Sequence, residues 1–239
     1  MTAHRVIVLA LGGMCFAAAV ASGCSGSPVS SVKGTEASWE FNSVEALPHP
    51  AGLDSTSLFD ALAGRRSARQ FTAEPLSTGD VSALLWAAQG VTAEWGGRSA
   101  PSAGALYPLE VYLVTDEGIQ HYRPDGHQIE VAPSPTAKSE LAEAIGQEPA
   151  ADAPAVVVIA AVPQRVEPKY GGRAERYIAL EAGHAAQNLL LGATALGLAG
   201  VPLGAFSDSA VADALGLPAT QEVYYTIAIG HPDRTADRS

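Results

Sequence analysis

The chain has 239 residues, 47% of them hydrophobic and 16% charged, which is long and apolar enough to bury a sizeable core and excludes a wholly disordered chain. Acidic residues outnumber basic ones by 25 to 14, and the formal net charge of −11 disfavours nucleic-acid binding, because such binding needs a basic face. The two cysteines are too few for a disulfide framework, a four-thiolate zinc site or an iron–sulfur cluster.

The first 23 residues have the organisation of an export signal. A short start that contains Arg5 precedes an uncharged apolar run over residues 6–20, shorter than the roughly 20 residues that a transmembrane helix needs. Small residues then precede Cys24, a pattern that resembles the bacterial lipoprotein signal. We therefore predict a signal peptide over residues 1–23, lipidation of Cys24 and a location on the extracytoplasmic side of the cell membrane. The alternatives are an uncleaved anchor and a plain signal peptide.

Residues 24–48 are rich in Ser, Gly and Pro and lack clear periodicity, which predicts a tether. Trp39 and Phe41 indicate that the far end of this tether packs onto the domain. The folded domain is predicted over residues 49–239.

Two helices are predicted early in the domain. Asp54-Ser55 precedes an apolar pattern that begins at Leu58 and stops at Gly64. Ser77 and Asp80 have the spacing of a capping box, and the helical pattern that follows them ends at Gly90.

The later elements include strands as well as helices. Strands are predicted over residues 109–115, 119–122, 128–131, 155–161 and 223–229, and helices over residues 139–145, 177–198 and 208–215. The two strands 119–122 and 128–131 form a hairpin around Pro124-Asp125-Gly126. Because strands and helices do not alternate regularly, the order predicts an α+β domain, a mixed or antiparallel sheet covered by helices.

A basic cluster interrupts the acidic chain at residues 65–69. Arg65, Arg66 and Arg69 offer planar forks of donors that suit a phosphate, and Ser67 adds a short donor at the same place. The cluster is either a clamp for an anionic cofactor or a basic helix C-terminus stabilised by the macrodipole.

Two loops could approach a flat ligand. Residues 98–108 combine small residues and prolines with Tyr107, which could stack on a ring, although an ordinary turn-rich loop has the same composition. Residues 200–206 carry two glycines after a buried helix and could present backbone N–H groups. This segment lacks the spacing of a dinucleotide fingerprint or a P-loop.

A polar stripe crosses the longest predicted helix. Glu181, His184 and Asn188 share one face at spacings of three and four, with Gln187 beside them. Buried polar groups must find partners, and His184 is more typical of a core histidine than of a catalyst. The sequence has no Gly-x-Ser-x-Gly elbow, and its histidines show no metal-ligand spacing, so no metal is predicted.

Taken together and in order, these segments resemble the FMN-dependent nitroreductase family, and most closely its SagB/thiazole-oxazole oxidase-type branch. The resemblance is carried by residues 65–71, 84–90, 100–110, 169–171, 176–177, 181–189, 200–204 and 229–232. It extends from about Leu47 to Pro232 and so covers most of the chain.

The resemblance implies a homodimer that holds FMN at its interface. It implies that Arg65, Ser67 and Arg69, with Arg66 in the same cluster, contact the phosphate, ribityl chain and pyrimidine edge. The further residues that it assigns to the cofactor are Pro101, Ser102, Ala103 and Ala105 from the opposing subunit, Pro202, Leu203 and Gly204 beside the ring, and Arg234 at the phosphate. The phosphate carries about −1.5 to −2 charge, which a positive cluster would offset.

A Lys-Tyr pair is thought to act as base in the azoline-oxidising members, and Lys169-Tyr170 resembles that pair. The alternative is that Lys169 is a solvated loop residue. The sequence thus predicts a membrane-tethered FMN-dependent oxidoreductase that passes a hydride through flavin N5 to or from a small organic substrate. A non-catalytic flavin or small-molecule binding lipoprotein and an azoline-type peptide oxidase are the alternatives.

Overall fold

A seven-stranded sheet lies at the centre of the computed structural model, which describes residues 37–233. The strands are β1 (Ser43–Ala46), β2 (Leu109–Thr115), β3 (Gly118–Arg123), β4 (Gln128–Pro133), β5 (Ala155–Ala161), β6 (Ala199–Leu203) and β7 (Glu222–Gly230). Their order is β1-β4-β3-β2-β5-β7-β6, and every neighbouring pair is antiparallel. The predicted α+β class is confirmed.

Helices cover both faces of this sheet. Within residues 37–233 they are α1 (Leu58–Gly64), α2 (Thr78–Gln89), α3 (Ala137–Ile145), α4 (Glu148–Asp152), α5 (Glu167–Tyr170), α6 (Ala174–Ala195) and α7 (Asp208–Ala214). None of these helices is both long and apolar enough to cross a membrane.

Strand β5 shows how the sheet separates two cores. Its seven residues are all fully buried, and because side chains alternate along a strand they enter opposite cores. Val157 and Ile159 pack with the core under α2 and α6, whereas Val156 and Val158 pack with the core under α3 and α7. The continuous apolar run that predicted a buried central strand follows from this double coverage.

Capping chemistry sets where the early helices begin. Ser77 and Asp80 form the predicted capping box of α2, with both reciprocal hydrogen bonds present. The start of α1 differs from the prediction, because Ser57 rather than Asp54-Ser55 caps it and accepts the Asp60 N–H.

The folded domain begins before residue 49, the predicted boundary with the tether. Strand β1 pairs with β4, and the indole of Trp39 donates to the Leu215 carbonyl. The ring of Trp39 lies 6.1 Å from that of Tyr112 and the ring of Phe41 lies 5.8 Å from that of His121, which confirms that these aromatics pack onto the domain. The four residues of β1 are all exposed, so the strand has no buried stripe that periodicity could detect. Residues 1–36, with Cys24, lie outside the described residues, as does Arg234.

The first half of the predicted loop at residues 200–206 is a strand, because β6 extends through residue 203. Strand β6 pairs with β7 along its whole length, with Pro202 opposite Ile227. Gly200 and Pro202 give this strand low strand propensity, but proline is tolerated on an edge strand, where its missing N–H leaves no ladder bond unmade. Only pairing with β7 makes this segment a strand. The short helices α4 and α5 were also not predicted.

Candidate functional site

The basic cluster of residues 65–69 lies beside the edge of the sheet. Helix α1 ends at Gly64, and the backbone leaves the helical conformation at Arg65. Ser67 forms a parallel bridge with Gly200, and the Ala68 N–H donates to the Gly200 carbonyl at 3.4 Å. The structure therefore brings the cluster next to β6, as required if both segments hold one ligand.

The guanidiniums of this cluster differ in their surroundings. Arg66 donates to the carbonyls of Ala63 and Arg65 at the end of α1, at 3.0 and 2.8 Å. Its contacts are those of a basic helix C-terminus, the second interpretation that the sequence left open. None of the ion pairs within residues 37–233 involves Arg65, Arg66 or Arg69. The donors of Arg65 and Arg69 therefore have no carboxylate partner in the described part of the chain.

The end of β6 presents main chain rather than side chains. Leu203 is buried in the core that contains α3 and α7, and its carbonyl accepts the hydroxyl of Thr226 at 3.1 Å. Gly204 is exposed, and a Cβ at that position would meet no atom within 4 Å. A flat ligand can therefore approach the backbone here, but the Leu203 side chain cannot reach it.

A second group of predicted residues surrounds the loop of residues 101–108, which we call the alanine loop. Two of its non-glycine residues, Ala105 and Tyr107, have left-handed φ angles of 55° and 46°. Such conformations persist only where the surroundings hold them. Here the Ser102 hydroxyl accepts the Tyr107 N–H at 2.9 Å, and the Ser102 carbonyl accepts the Ala105 N–H at 3.1 Å.

Lys169 and Tyr170 belong to α5, and their side chains reach the alanine loop at Gly104. A Cβ on Gly104 would be 2.5 Å from the Lys169 Nζ and 2.9 Å from the Tyr170 hydroxyl. Both functional ends therefore approach the backbone at Gly104, where the positive φ of 64° favours glycine. The Tyr170 ring packs at 4.7 Å from the ring of Tyr177 on α6, whereas Lys169 is exposed.

Two arginines hold the far end of the alanine loop. The Arg98 guanidinium lies 4.5 Å above the ring of Tyr107, and Arg165 donates to the Tyr107 carbonyl at 3.1 Å. Burial lowers the pKa of Arg98, and the charges of Asp125 and Glu110 oppose that shift.

The polar stripe on α6 divides between buried and exposed positions. Glu181 is buried, and burial raises its pKa to about 7 against the opposing effects of the Ser102 hydroxyl and Arg98. Asn188 donates to the Ser99 carbonyl at 3.2 Å. His184 is exposed, so the interpretation of it as a core histidine is wrong. His184 lies on the face of α6 that is turned toward the surface.

A buried network behind the alanine loop was not predicted. His121 lies between two carboxylates, with its Nε2 2.6 Å from Glu110 and its Nδ1 3.0 Å from Glu130, while Arg165 also pairs with Glu110. Burial raises the pKa of Glu110, but the contacts with His121 and Arg165 outweigh it, and the net shift is downward. In the sequence, these residues appear only as polar residues at alternating positions of strands. A strand with one solvent-exposed face has the same pattern, so the buried network could not be recognised from it.

The two groups are separate within one chain. Over residues 37–233, no hydrogen bond, ion pair or ring contact joins residues 65–69 or 200–204 to the alanine loop or to Lys169-Tyr170. Within the described residues 37–233, no cluster of side chains is able to hold a metal ion.

Comparison with known proteins adds independent findings. The family model for the nitroreductase family matches residues 62–231. A relative in Methanocaldococcus jannaschii, MJ1384, carries a name that assigns it as a nitroreductase. It is 41% identical over 170 residues, which are 68% of this chain and 86% of that protein.

Solved structures agree with that match. A crystal structure from Ralstonia eutropha JMP134, named as a nitroreductase, has a TM-score of 0.72 and 28% identity, covering 87% of this chain and 98% of that one. The NADPH:FMN oxidoreductase of Vibrio harveyi, solved with NAD+, has a TM-score of 0.56 and 25% identity, covering 74% of this chain and 69% of that one.

Proposed function

Because this chain belongs to the nitroreductase family of flavin-dependent oxidoreductases, we propose that it binds FMN and acts on a small organic substrate. When bound, FMN supplies hydride transfer at its N5 atom. NADPH is the candidate electron donor, since the related Vibrio harveyi enzyme is named for NADPH and FMN.

The observation that carries this proposal is the set of guanidiniums without carboxylate partners at residues 65–69. In an acidic protein, unpaired cations next to an exposed hydroxyl fit the donor set that a phosphate requires. Arg65 and Arg69 would bind the phosphate and the polar edge of the flavin, with Ser67 between them. Arg66 already satisfies two helix-end carbonyls and would contribute mainly charge. Arg234 remains a proposed further phosphate ligand.

The open backbone at Gly204 fits the planar ring of a flavin. Pro202 and Gly204 would line the ring with main chain, and Leu203 would support them from the core. Backbone N–H groups beside the ring would orient the cofactor and exclude water from one of its faces.

A second copy of the chain would complete the site. Since the alanine loop and the basic cluster do not meet within one chain, we propose that Pro101, Ser102, Ala103 and Ala105 line the flavin of the partner. Helix α1 offers a surface for such a dimer, because its large apolar residues are exposed. They are Leu58 (62%), Phe59 (81%) and Leu62 (48%).

Lys169 and Tyr170 are proposed as the acid–base pair. Their contact with Gly104 would place both polar ends at the flavin once the loop reaches the partner's site. This contact also supports the SagB-type alternative, in which the substrate is an azoline in a peptide.

Export and tethering form a separate part of the proposal, supported by the sequence of residues 1–24. Replacing Cys24 with Ser should abolish incorporation of labelled fatty acid and release the protein from membranes. Unchanged labelling and membrane association in the Cys24→Ser variant would refute the lipid anchor.

The experiment that tests the proposed function is the visible spectrum of the detergent-solubilised full-length protein. A flavin spectrum that NADPH bleaches and a quinone or nitroaromatic restores is expected. A bound flavin that no reductant or acceptor affects would favour a binding lipoprotein. A colourless protein that FMN cannot reconstitute would contradict both.

A further inference from the structure

A cavity of about 330 Å³ lies between the alanine loop and strands β2 and β3, a volume within the range of small-molecule sites. Three arginines from separate parts of the chain line it. They are Arg98 between α2 and the alanine loop, Arg123 at the end of β3, and Arg165 just before α5. No residue that lines this cavity is among those assigned to the flavin, so the cavity is a separate feature of the described part of the chain.

Arg98 is a partly buried cation without a carboxylate partner. None of the ion pairs within residues 37–233 includes it. One of its nitrogens donates to the Gln89 side chain at 3.0 Å, and the Tyr107 ring covers one face of the guanidinium at 4.5 Å. A guanidinium carries five N–H donors around its edge, so donors remain for an anion in the cavity.

The pKa of Arg98 agrees with this geometry. Burial lowers it, and the charges of Asp125, Glu110 and Glu181 only oppose that shift. The fold therefore leaves this cation poorly solvated, and a bound anion would offset the cost of its burial.

The acidic groups of the cavity do not neutralise its lining. Three guanidiniums and two carboxylates leave one positive charge, in a chain whose formal net charge is −11. Of the two carboxylates, Glu110 is already held by His121 and Arg165. Asp125 is exposed in the turn between β3 and β4, where water screens its charge.

Arg123 offers a second guanidinium that is only weakly paired. Its one ion pair within the described residues is with Glu130 at 3.8 Å, and its side chain is 53% exposed. Such exposed pairs contribute little free energy, so Arg123 is available to an anion. Leu106 and Tyr122 add apolar surface to the same cavity, which suits an organic anion better than an inorganic one.

We propose that this cavity binds a small organic anion, a molecule with one carboxylate or phosphate group and a short apolar body, whose acidic group contacts Arg98 and Arg123. Guanidinium edges match the oxygens of either group in pairs of hydrogen bonds. The site does not depend on the proposed flavin chemistry.

Calorimetric titration of the detergent-solubilised full-length protein at low ionic strength tests this site. Benzoate and phenyl phosphate are the probes for the two acidic groups, and benzamide is the neutral control of similar shape. We expect saturable binding, at one site per chain, for at least one of the two anions and none for benzamide. The anion that binds more tightly identifies the acidic group. Absence of saturable binding by both anions, or equal binding of benzamide, would overturn the proposal.

Arg98→Gln should weaken anion binding roughly tenfold or more, the effect of losing one hydrogen bond to a charged group. Arg173→Gln is the matched control, because Arg173 is exposed and does not line the cavity. It should bind the anion as the wild type does. Equal affinity in Arg98→Gln and the wild type would contradict the assignment.

Asp125→Asn keeps the test decisive if Arg98→Gln does not fold. Asp125 is exposed, so its replacement should leave the fold intact. Removing a negative charge from the lining should tighten anion binding several-fold, a gain that a purely structural role of these residues would not produce. Unchanged or weaker binding in Asp125→Asn would refute an anion at this place.

Arg65→Ala separates this site from the proposed clamp for the flavin phosphate. Phenyl phosphate should bind to Arg65→Ala as tightly as to the wild type, even where FMN binding is weakened. Binding that is lost in Arg65→Ala and kept in Arg98→Gln would place the anion at the basic cluster and overturn the cavity site. A protein that binds the anion through Arg98 but binds no FMN would refute the proposed function alone.

Discussion

Individual residues in the basic cluster have distinct tasks, although the sequence presents them as one run. Arg66 contacts carbonyls at the end of α1, whereas Arg65 and Arg69 have no carboxylate partner within residues 37–233. Three similar side chains therefore divide between stabilising a helix end and remaining available for an anion.

Replacing Arg65 with Ala should weaken FMN binding by about 1.5–3 kcal/mol, because a hydrogen bond to a charged group is removed. Flavin fluorescence titration measures this change. Arg123→Ala is the control, since Arg123 is largely exposed and pairs with Glu130 at 3.8 Å, away from the cluster. Equal affinity in the Arg65 variant and the wild type would rule out the phosphate clamp.

Glu181→Gln should make the protein more stable at pH 8 than the wild type. The folded pKa of about 7 exceeds the usual value of 4.5, so both states are protonated below pH 4.5 and the carboxyl then has no effect. Between pH 4.5 and 7 the unfolded chain loses this proton and the folded chain keeps it. Stability therefore falls as pH rises, by at most about 3 kcal/mol, and is constant above pH 7.

Urea unfolding at pH 5, 6 and 8 measures this difference. The gap between Glu181→Gln and the wild type should widen up to about pH 7, while Glu175→Gln, which removes an exposed carboxylate from the same helix, should show no such trend. If the difference in the free energy of unfolding does not depend on pH, the pKa of Glu181 is the same in the folded and unfolded states.

At the level of elements, the two edge strands show the limit of local patterns. Strand β1 is exposed on every residue and β6 contains a glycine and a proline, so neither has the alternation of a half-buried strand. Each forms because a neighbouring strand offers unpaired backbone groups. The segment that leads into β1 is anchored by its aromatic residues rather than by its strand.

Trp39→Ala should destabilise the domain by about 2 kcal/mol, less than a fully buried aromatic because the indole is only partly covered. The indole contacts Phe41 and Tyr112 and donates to the Leu215 carbonyl. Trp95→Ala is the control, because Trp95 is 76% exposed and should change the free energy of unfolding by less than about 0.5 kcal/mol. Similar denaturation midpoints for both variants would show that residues 37–46 do not belong to the cooperative unit.

At the level of the whole molecule, the proposed site depends on assembly. The basic cluster and the alanine loop belong to different parts of one chain, and the exposed apolar residues of α1 provide a surface that a partner could cover. Flavin binding and dimerisation should therefore be linked, because a ligand that binds only the dimer shifts the association equilibrium.

Phe59→Lys should shift the protein toward monomer and weaken FMN binding at the same time, because a charge replaces a large apolar side chain at the proposed interface. Sedimentation equilibrium and flavin titration measure the two effects. Val44→Lys is the matched control, an exposed apolar residue on the edge strand β1. A Phe59→Lys protein that remains dimeric with full FMN affinity would place the interface elsewhere.

The sequence by itself determined the elements whose signals are local. The capping box of α2, the buried run of β5 and the long α6 follow from side-chain spacing, and the family resemblance follows from several short segments in order. It also identified which residue types could hold a flavin. These conclusions need only neighbours in the chain, because periodicity and capping act within a few residues.

The tertiary structure alone decided which distant residues meet. Strand pairing makes β1 and β6 and places Ser67 beside Gly200, and packing sets Lys169 and Tyr170 against Gly104. The helix turn that buries Glu181 also leaves His184 at the surface. Such contacts depend on burial and on backbone groups without side-chain signatures, so no local pattern encodes them.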